Sequence, residues 1–213
     1  MNFFKKIFNK SSNEPRKLTT VNQLLVGDII VLTDSFALPE SLRGQDFQVK
    51  AVNSYEFENK VQTEWALIGT NALEIFLSLE VDDITELKLS LKIQHEDVET
   101  LFDLDSFSEV FDEPGEAFLE KKVDSEITAM WSSEQYKQGV FAKVGFFHRK
   151  DHRSENLSVY EGKDSGEQFE LYCLYNEDQS KGVDVEVWQD GDTEVCLTLF
   201  RPLSDITDMY PGS

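Results

Sequence analysis

Two histidines four residues apart, His148 and His152, sit in the one basic cluster of an otherwise acidic chain, His148-Arg149-Lys150-Asp151-His152-Arg153. On a helix that spacing would bring both imidazoles to one face, where they could hold a metal ion. The preceding Phe146-Phe147 reads instead as the end of a strand. His95 is the only other histidine, and the flanking arginines and lysine repel a divalent cation. The cluster is therefore expected to be a solvated hairpin tip. Its His148, Arg149, Lys150, His152 and Arg153 would then be free to meet an acidic patch on the other half or on a partner.

The remaining candidates for chemistry fail on named positions. Asp103-x-Asp105 begins like a calcium loop, but Ser108 stands where an EF-hand needs glycine and Pro114 where it needs its bidentate glutamate. Cys173 and Cys196 lie in apolar, strand-like runs, where a thiol is buried and inert. No phosphate-binding loop, dinucleotide fingerprint or nucleophile elbow is present. Carboxylates are so abundant that no acid–base pair stands out. No catalytic residue, metal or cofactor is expected, and the chain reads as a non-enzyme.

Charge narrows the partners. There are 41 acidic against 20 basic side chains, a net of −21. Such a surface repels phosphates and anionic headgroups, so nucleic acid is excluded as a partner, while a basic protein face fits. The N-terminus inverts the balance: Lys5, Lys6, Lys10, Arg16 and Lys17 face only Glu14. Phe3, Phe4, Ile7 and Phe8 recur there at helical spacing, with Lys5, Lys6 and Lys10 mostly on other faces. This segment is a candidate membrane or partner contact. No apolar run is long enough to span a bilayer and no signal-peptide core follows the basic start. A cytoplasmic location is expected, with peripheral inner-membrane contact through the N-terminus.

The elements that must position these residues are mostly strands. Ile29–Leu32, Phe47–Phe57, Glu64–Ile68, Ile75–Val81 and Leu87–Ile93 alternate apolar and polar side chains. The pattern returns at 126–131, 140–147, 157–160, 169–174, 183–188 and 195–200, with Asp190-Gly191 a hairpin turn. Gly27-Asp28 reads as a tight turn, and Trp65, Trp131 and Trp188 as core. The tail is expected to be extended and docked by Ile206, Met209 and Tyr210. Between the strand-rich halves, residues 96–126 are crowded with acid and place Val98, Leu101, Phe102, Phe107 and Phe111 at helix-like intervals. The expected fold is mainly β, an α+β arrangement of two antiparallel meander or small-barrel halves joined by short acidic helices. The organisation is a basic tail over 1–17, a first β half over 18–95, an acidic helical connector over 96–126 and a second β half over 127–213. Ile84–Leu91 matches Asp192–Leu199 in pattern, Phe76–Glu80 matches Asp184–Trp188, and Trp65-Ala66-Leu67 matches Leu171-Tyr172-Cys173, as an internal duplication would leave.

The first half carries a resemblance. Leu25-Val26-Gly27-Asp28-Ile29-Ile30, Phe47-x-Val49-x-x-Val52-x-x-Tyr55, Glu64-Trp65-x-Leu67 and Phe76-Leu77-Ser78-Leu79-Glu80 resemble the YjfK-type bacterial domain of unknown function. That family accompanies phage-shock-type membrane-stress systems and includes members with a short Phe- and Lys-rich start. The resemblance implies an accessory role beside such a system and assigns no catalytic residue. Three functions stay open: a protein-binding adaptor, an acidic neutralising protein of the immunity or nucleic-acid-mimic kind, and a small-ligand protein or enzyme whose site the sequence does not show.

Overall fold

The structure is a computed structural model that describes residues 16–155 and 166–212. Phe3, Phe4, Lys5, Lys6, Ile7, Phe8 and Lys10, and the strand expected at 157–160, lie outside the described residues. The strands are β1 (Ile29–Leu32), β2 (Asp46–Phe57), β3 (Lys60–Gly69), β4 (Glu74–Val81), β5 (Thr85–Ile93), β6 (Phe118–Glu120), β7 (Gln135–His148), β8 (Gly166–Tyr175), β9 (Lys181–Trp188), β10 (Thr193–Pro202) and β11 (Ile206–Tyr210). Two short helices, α1 (His95–Leu101) and α2 (Leu104–Ser108), lie between β5 and β6. The fold is mainly β, as expected. The connector also contributes β6, a strand too short to leave an alternation signal. Trp131 falls in a turn rather than in a strand over 126–131, although its side chain is buried as expected.

All eleven strands form one antiparallel sheet in the order β11-β1-β2-β3-β4-β5-β10-β9-β8-β7-β6. The two meanders meet twice. β5 pairs with β10 along its length, from Ile93 opposite Val195 to Glu86 opposite Pro202. At the other side, Ser54, Tyr55 and Glu56 of β2 pair with His148, Phe147 and Phe146 of β7. That second contact closes β2-β3-β4-β5-β10-β9-β8-β7 into an eight-stranded barrel made of two four-stranded meanders. β5 and β10 are the strands with the matching eight-residue pattern. β2 and β7 are long because each serves two neighbours in succession along one edge, besides β3 and β8 on the other. The first residues of β2 pair with β1 and those of β7 with β6, and only their last residues form the seam.

The alternating faces part company across this barrel. Trp65, Leu67, Ile75, Leu77, Leu89, Val185 and Leu197 are buried on one face. They join a single apolar cluster with Leu24, Leu38, Leu42, Val98, Leu101, Phe102 and Trp131 from the connections. The two halves thus share one core. It is built on the outside of the barrel, under the N-terminal loops and the acidic connector. α1 shows why the connector folds as it does: Val98 and Leu101 are buried while Glu96 and Glu99 remain in solvent.

The seam corrects the expectation for the basic cluster. His148 and His152 are buried rather than at a solvated tip. His148 Nε2 lies 2.9 Å from Glu56 Oε2. The two imidazoles pack edge to face at 4.9 Å. Ser54 Oγ donates to the Lys150 carbonyl at 2.9 Å and accepts from the His152 N–H at 3.1 Å. Arg153 donates to the carbonyls of Asn22 and Leu24, and its guanidinium stands over the Trp65 ring. Residues 149–155 therefore fold back over the seam as a strap. The physical reason is the short strand pairing: three residue pairs leave Ser54 and Glu56 polar and buried, the end of β7 supplies His148 to Glu56, and the strap supplies the partners of Ser54. His148 and His152 are withheld from any docking partner, whereas the side chains of Arg149 and Lys150 remain exposed.

Gly27, with φ +92°, makes the expected tight turn. Asp28 behind it is buried and accepts from the Leu25 N–H at 2.7 Å, the Gly212 N–H at 2.8 Å and the Arg16 guanidinium. Burial opposes its charge, but these donors hold the carboxyl below its usual range. β11 docks on β1 as the tail was expected to dock, with Ile206 and Met209 against the core and Tyr210 half exposed.

Candidate functional site

The barrel lumen receives the other face of each strand. Bulges decide which residues these are. In β2 the register slips between Val49 and Ala51, which turns Asn53, Tyr55 and Phe57 inward. β7 slips twice between Gln138 and Lys143, where Ala142 takes a φ of +45°, and so brings Phe147 to the same face. All eight barrel strands line a cavity of about 500 Å³, a volume suited to a small ligand. The exposed side chains of Glu74, Lys92 and Arg149 mark where it meets solvent.

The lumen is polar. Asn53 Nδ2 donates to Glu64 Oε1 at 3.0 Å. Gln62 Nε2 donates to Ser78 Oγ at 2.9 Å. Lys88 reaches across β10 to Asp184, with Nζ 2.5 Å from Oδ2, and Lys92 meets Glu194 at 2.6 Å. Glu64 on β3 and Glu186 on β9 come from opposite walls of the barrel, and the Tyr55 phenol lies close to both. Neither carboxylate has a cation of its own among the described residues.

The consequence is a shifted titration. Burial pushes the Glu64 carboxyl up to about 7, against the lowering pull of Asn53, Tyr55 and Lys88. Burial pushes Glu186 up to about 8, with repulsion from Glu64 adding to it. With burial opposing their charge and no cation paired to either among the described residues, both carboxyls titrate near neutrality. Tyr55 is raised further from ionisation by burial and by the charge of Glu186 and Glu64.

One wall is aromatic. Tyr55 packs on Phe147 at 4.9 Å, and Trp188 lies 5.7 Å from Phe147 and 5.4 Å from Phe169. Trp188, expected in the core, is a wall of the lumen, and its Nε1 has no hydrogen-bond partner among the described residues. Asp184 Oδ1 is likewise without one, although the residue is only 6% exposed. Gly145 makes room for this wall, since a Cβ there would stand 2.5 Å from Phe169 Cζ and 2.8 Å from Phe57 Cε1. Gly145→Ala is expected to cost about 1–3 kcal/mol of unfolding free energy by pushing both rings off their positions. Chemical denaturation followed by Trp188 fluorescence checks this, and an unshifted midpoint would mean that the wall yields freely.

The cysteines flank the same carboxylate. Cys173 on β8 and Cys196 on β10 are each the register partner of Asp184 on β9, and both are free thiols. Burial, reinforced by neighbouring acids, raises both far above the usual thiol range. They stay protonated and are weak nucleophiles, as their strand context implied. All three histidines lie elsewhere, two under the strap and His95 at the start of α1. Acid–base work in the lumen would therefore fall to Glu64 and Glu186, a pair not distinguishable in the sequence among so many carboxylates. Among the described residues no group of three or more histidine, cysteine or acidic side chains is placed to hold a metal ion. No helix among them is long and apolar enough to cross a membrane.

No family model, no curated protein and no solved structure matches this chain.

Proposed function

We propose that the protein binds a small molecule in the lumen of its barrel. The polar lining supports this reading. A barrel that served only as a scaffold would fill its interior with apolar side chains. Here charged and amide groups occupy it, and Asp184 Oδ1 and Trp188 Nε1 are buried without partners. Each such group costs stability unless something bonds to it. A ligand with a donor for Asp184 and an acceptor for Trp188 would supply those bonds.

The test is affinity selection of the small-molecule fraction of a cell extract, read by mass spectrometry. Wild type is compared with two fillings of the lumen, Ala66→Trp and Ser90→Phe. The expected result is a set of compounds retained by wild type and lost from at least one folded filled variant. The same compounds retained by all three proteins, or none retained by any, would refute a lumen site.

One observation favours a second reading, the adaptor role that the YjfK-type resemblance implies. Glu96, Glu99, Asp103, Asp105, Asp112 and Glu113 are all exposed along the connector. They offer a continuous acidic stretch to a basic, membrane-associated protein partner. Co-purification at low salt, lost on neutralising these six residues, would support it.

A further inference from the structure

We infer that the ligand of the lumen is a protonated amine with an apolar tail, its ammonium seated between Glu64 and Glu186 and its tail against Tyr55, Phe147 and Trp188. This rests on the lumen being a ligand site.

Charge pairing inside the barrel points to a cation. Lys88 is taken by Asp184, Lys92 by Glu194, and the rim residue Arg149 by Glu167. Glu64 and Glu186 are left facing each other with only neutral donors, Asn53 and Tyr55. Glu64 and Glu186 thus line the lumen with no paired cation among the described residues. Asp184 adds an independent sign: the residue lines the same cavity, and its buried Oδ1 lacks a donor among the described residues. An ammonium has three N–H donors and could satisfy several acceptors at once.

A bare divalent metal fits poorly, because no cluster of three or more ligating side chains exists among the described residues. An anion would meet uncompensated carboxylates. A neutral sugar would leave the carboxylate pair unchanged and would not account for it. The aromatic wall adds the second half of the specificity. Rings within reach of an ammonium attract it through their faces, and the remainder of the wall suits a hydrocarbon tail.

Proton exchange follows from this arrangement. In the empty lumen the pair keeps a proton. When the ammonium enters, its charge replaces that proton, which leaves to solvent, so no charge is created. The other groups facing the pair are Tyr55 on β2, Lys88 on β5, Asp184 on β9, and Glu194 and Cys196 on β10. β4 and β8 present Ser78, Phe76 and Leu171, which carry no charge, and the charged Glu74, Lys92 and Arg149 stand at the exposed rim. Lys88 is held above its usual range by Asp184 and stays charged, and burial keeps Tyr55 and Cys196 neutral. The pair is therefore the group that changes. Affinity for an amine should rise as pH rises from 6 to 8.5, because the competing proton is lost while the amine stays protonated.

Isothermal titration with phenethylamine tests this, against 2-phenylethanol as the uncharged analogue and phenylacetate as the anionic one. Titration in phosphate and in Tris separates binding heat from proton release. The expected result is binding of phenethylamine with proton release, tightening with pH, and weakened at least tenfold by E64Q and by E186Q. Circular dichroism of both variants confirms that they are folded. If the alcohol or the acid binds as tightly as the amine, or if amine affinity is unchanged in both variants, the amine assignment falls while the lumen site stands. If none of the three probes binds, the amine assignment falls as well, and affinity selection still decides the lumen site separately.

Discussion

The double variant Glu64→Gln, Glu186→Gln is expected to be more stable than the wild type above pH 8, by a margin that shrinks steeply towards pH 5 and vanishes below pH 4. In the wild type both carboxyls keep their protons in the folded state to about 7 and about 8, chiefly because burial disfavours their charge. In the unfolded chain they lose them near 4.5, the ordinary value for glutamate. Between those limits the folded protein binds more protons than the unfolded one, so stability falls as pH rises. Below the unfolded value both states are protonated and no penalty exists. Above the folded values both are ionised and the penalty is constant. At about 1.4 kcal/mol for each pKa unit, Glu64 alone accounts for about 3 kcal/mol. Glutamine carries no charge at any pH and keeps an acceptor for Asn53. Urea unfolding at pH 5, 7 and 9 checks this. Parallel stability curves for variant and wild type would mean that the carboxylates are solvated in the folded state. A protein that accepts such a penalty at neutral pH does so at sites kept for function rather than for folding.

Removing Lys88 has the opposite sign. Burial alone would depress the lysine, but the Asp184 carboxylate outweighs it and holds the ammonium above its usual range. The side chains are 15% and 8% exposed, so the pair is largely desolvated. Lys88→Met leaves Asp184 charged, buried and between two cysteines that cannot neutralise it. The expected cost is about 3–5 kcal/mol. Asp184→Asn should cost a similar amount by stranding the lysine. The double variant should lose clearly less than the two singles together, because no uncompensated charge is left behind. A full double-mutant cycle by denaturant unfolding measures this, and additive losses would show that the two residues act separately.

Much of the local structure was legible. The alternation in β5 and β10 is strict, and both strands form where the pattern places them. Asp190-Gly191 and Gly27-Asp28 make their turns because glycine alone takes a positive φ at no steric cost, +95° at Gly191 and +92° at Gly27. Val98 and Leu101 face inward from α1 because their spacing leaves no other face. The basic cluster was misread for a reason of the same kind seen from the other side. Charge pattern places His148 and His152 in solvent, and nothing local announces that Ser54 and Glu56 need partners. Those two lie on β2, far along the chain, and only the seam brings them under the strap.

The alternation along the strands determined that the sheet has an apolar face and a polar face, and the net charge determined that its surroundings are acidic. Which face turns inward was decided only by tertiary structure. A period of two is the same whether a sheet curls one way or the other. The curl is set by closure of β2 on β7 and by the bulges that re-aim Asn53, Tyr55 and Phe147. Closure put the apolar face outside, where the connections cover it, and the polar face inside. It thereby brought Glu64 and Glu186, from separate halves of the chain, to opposite walls of one lumen.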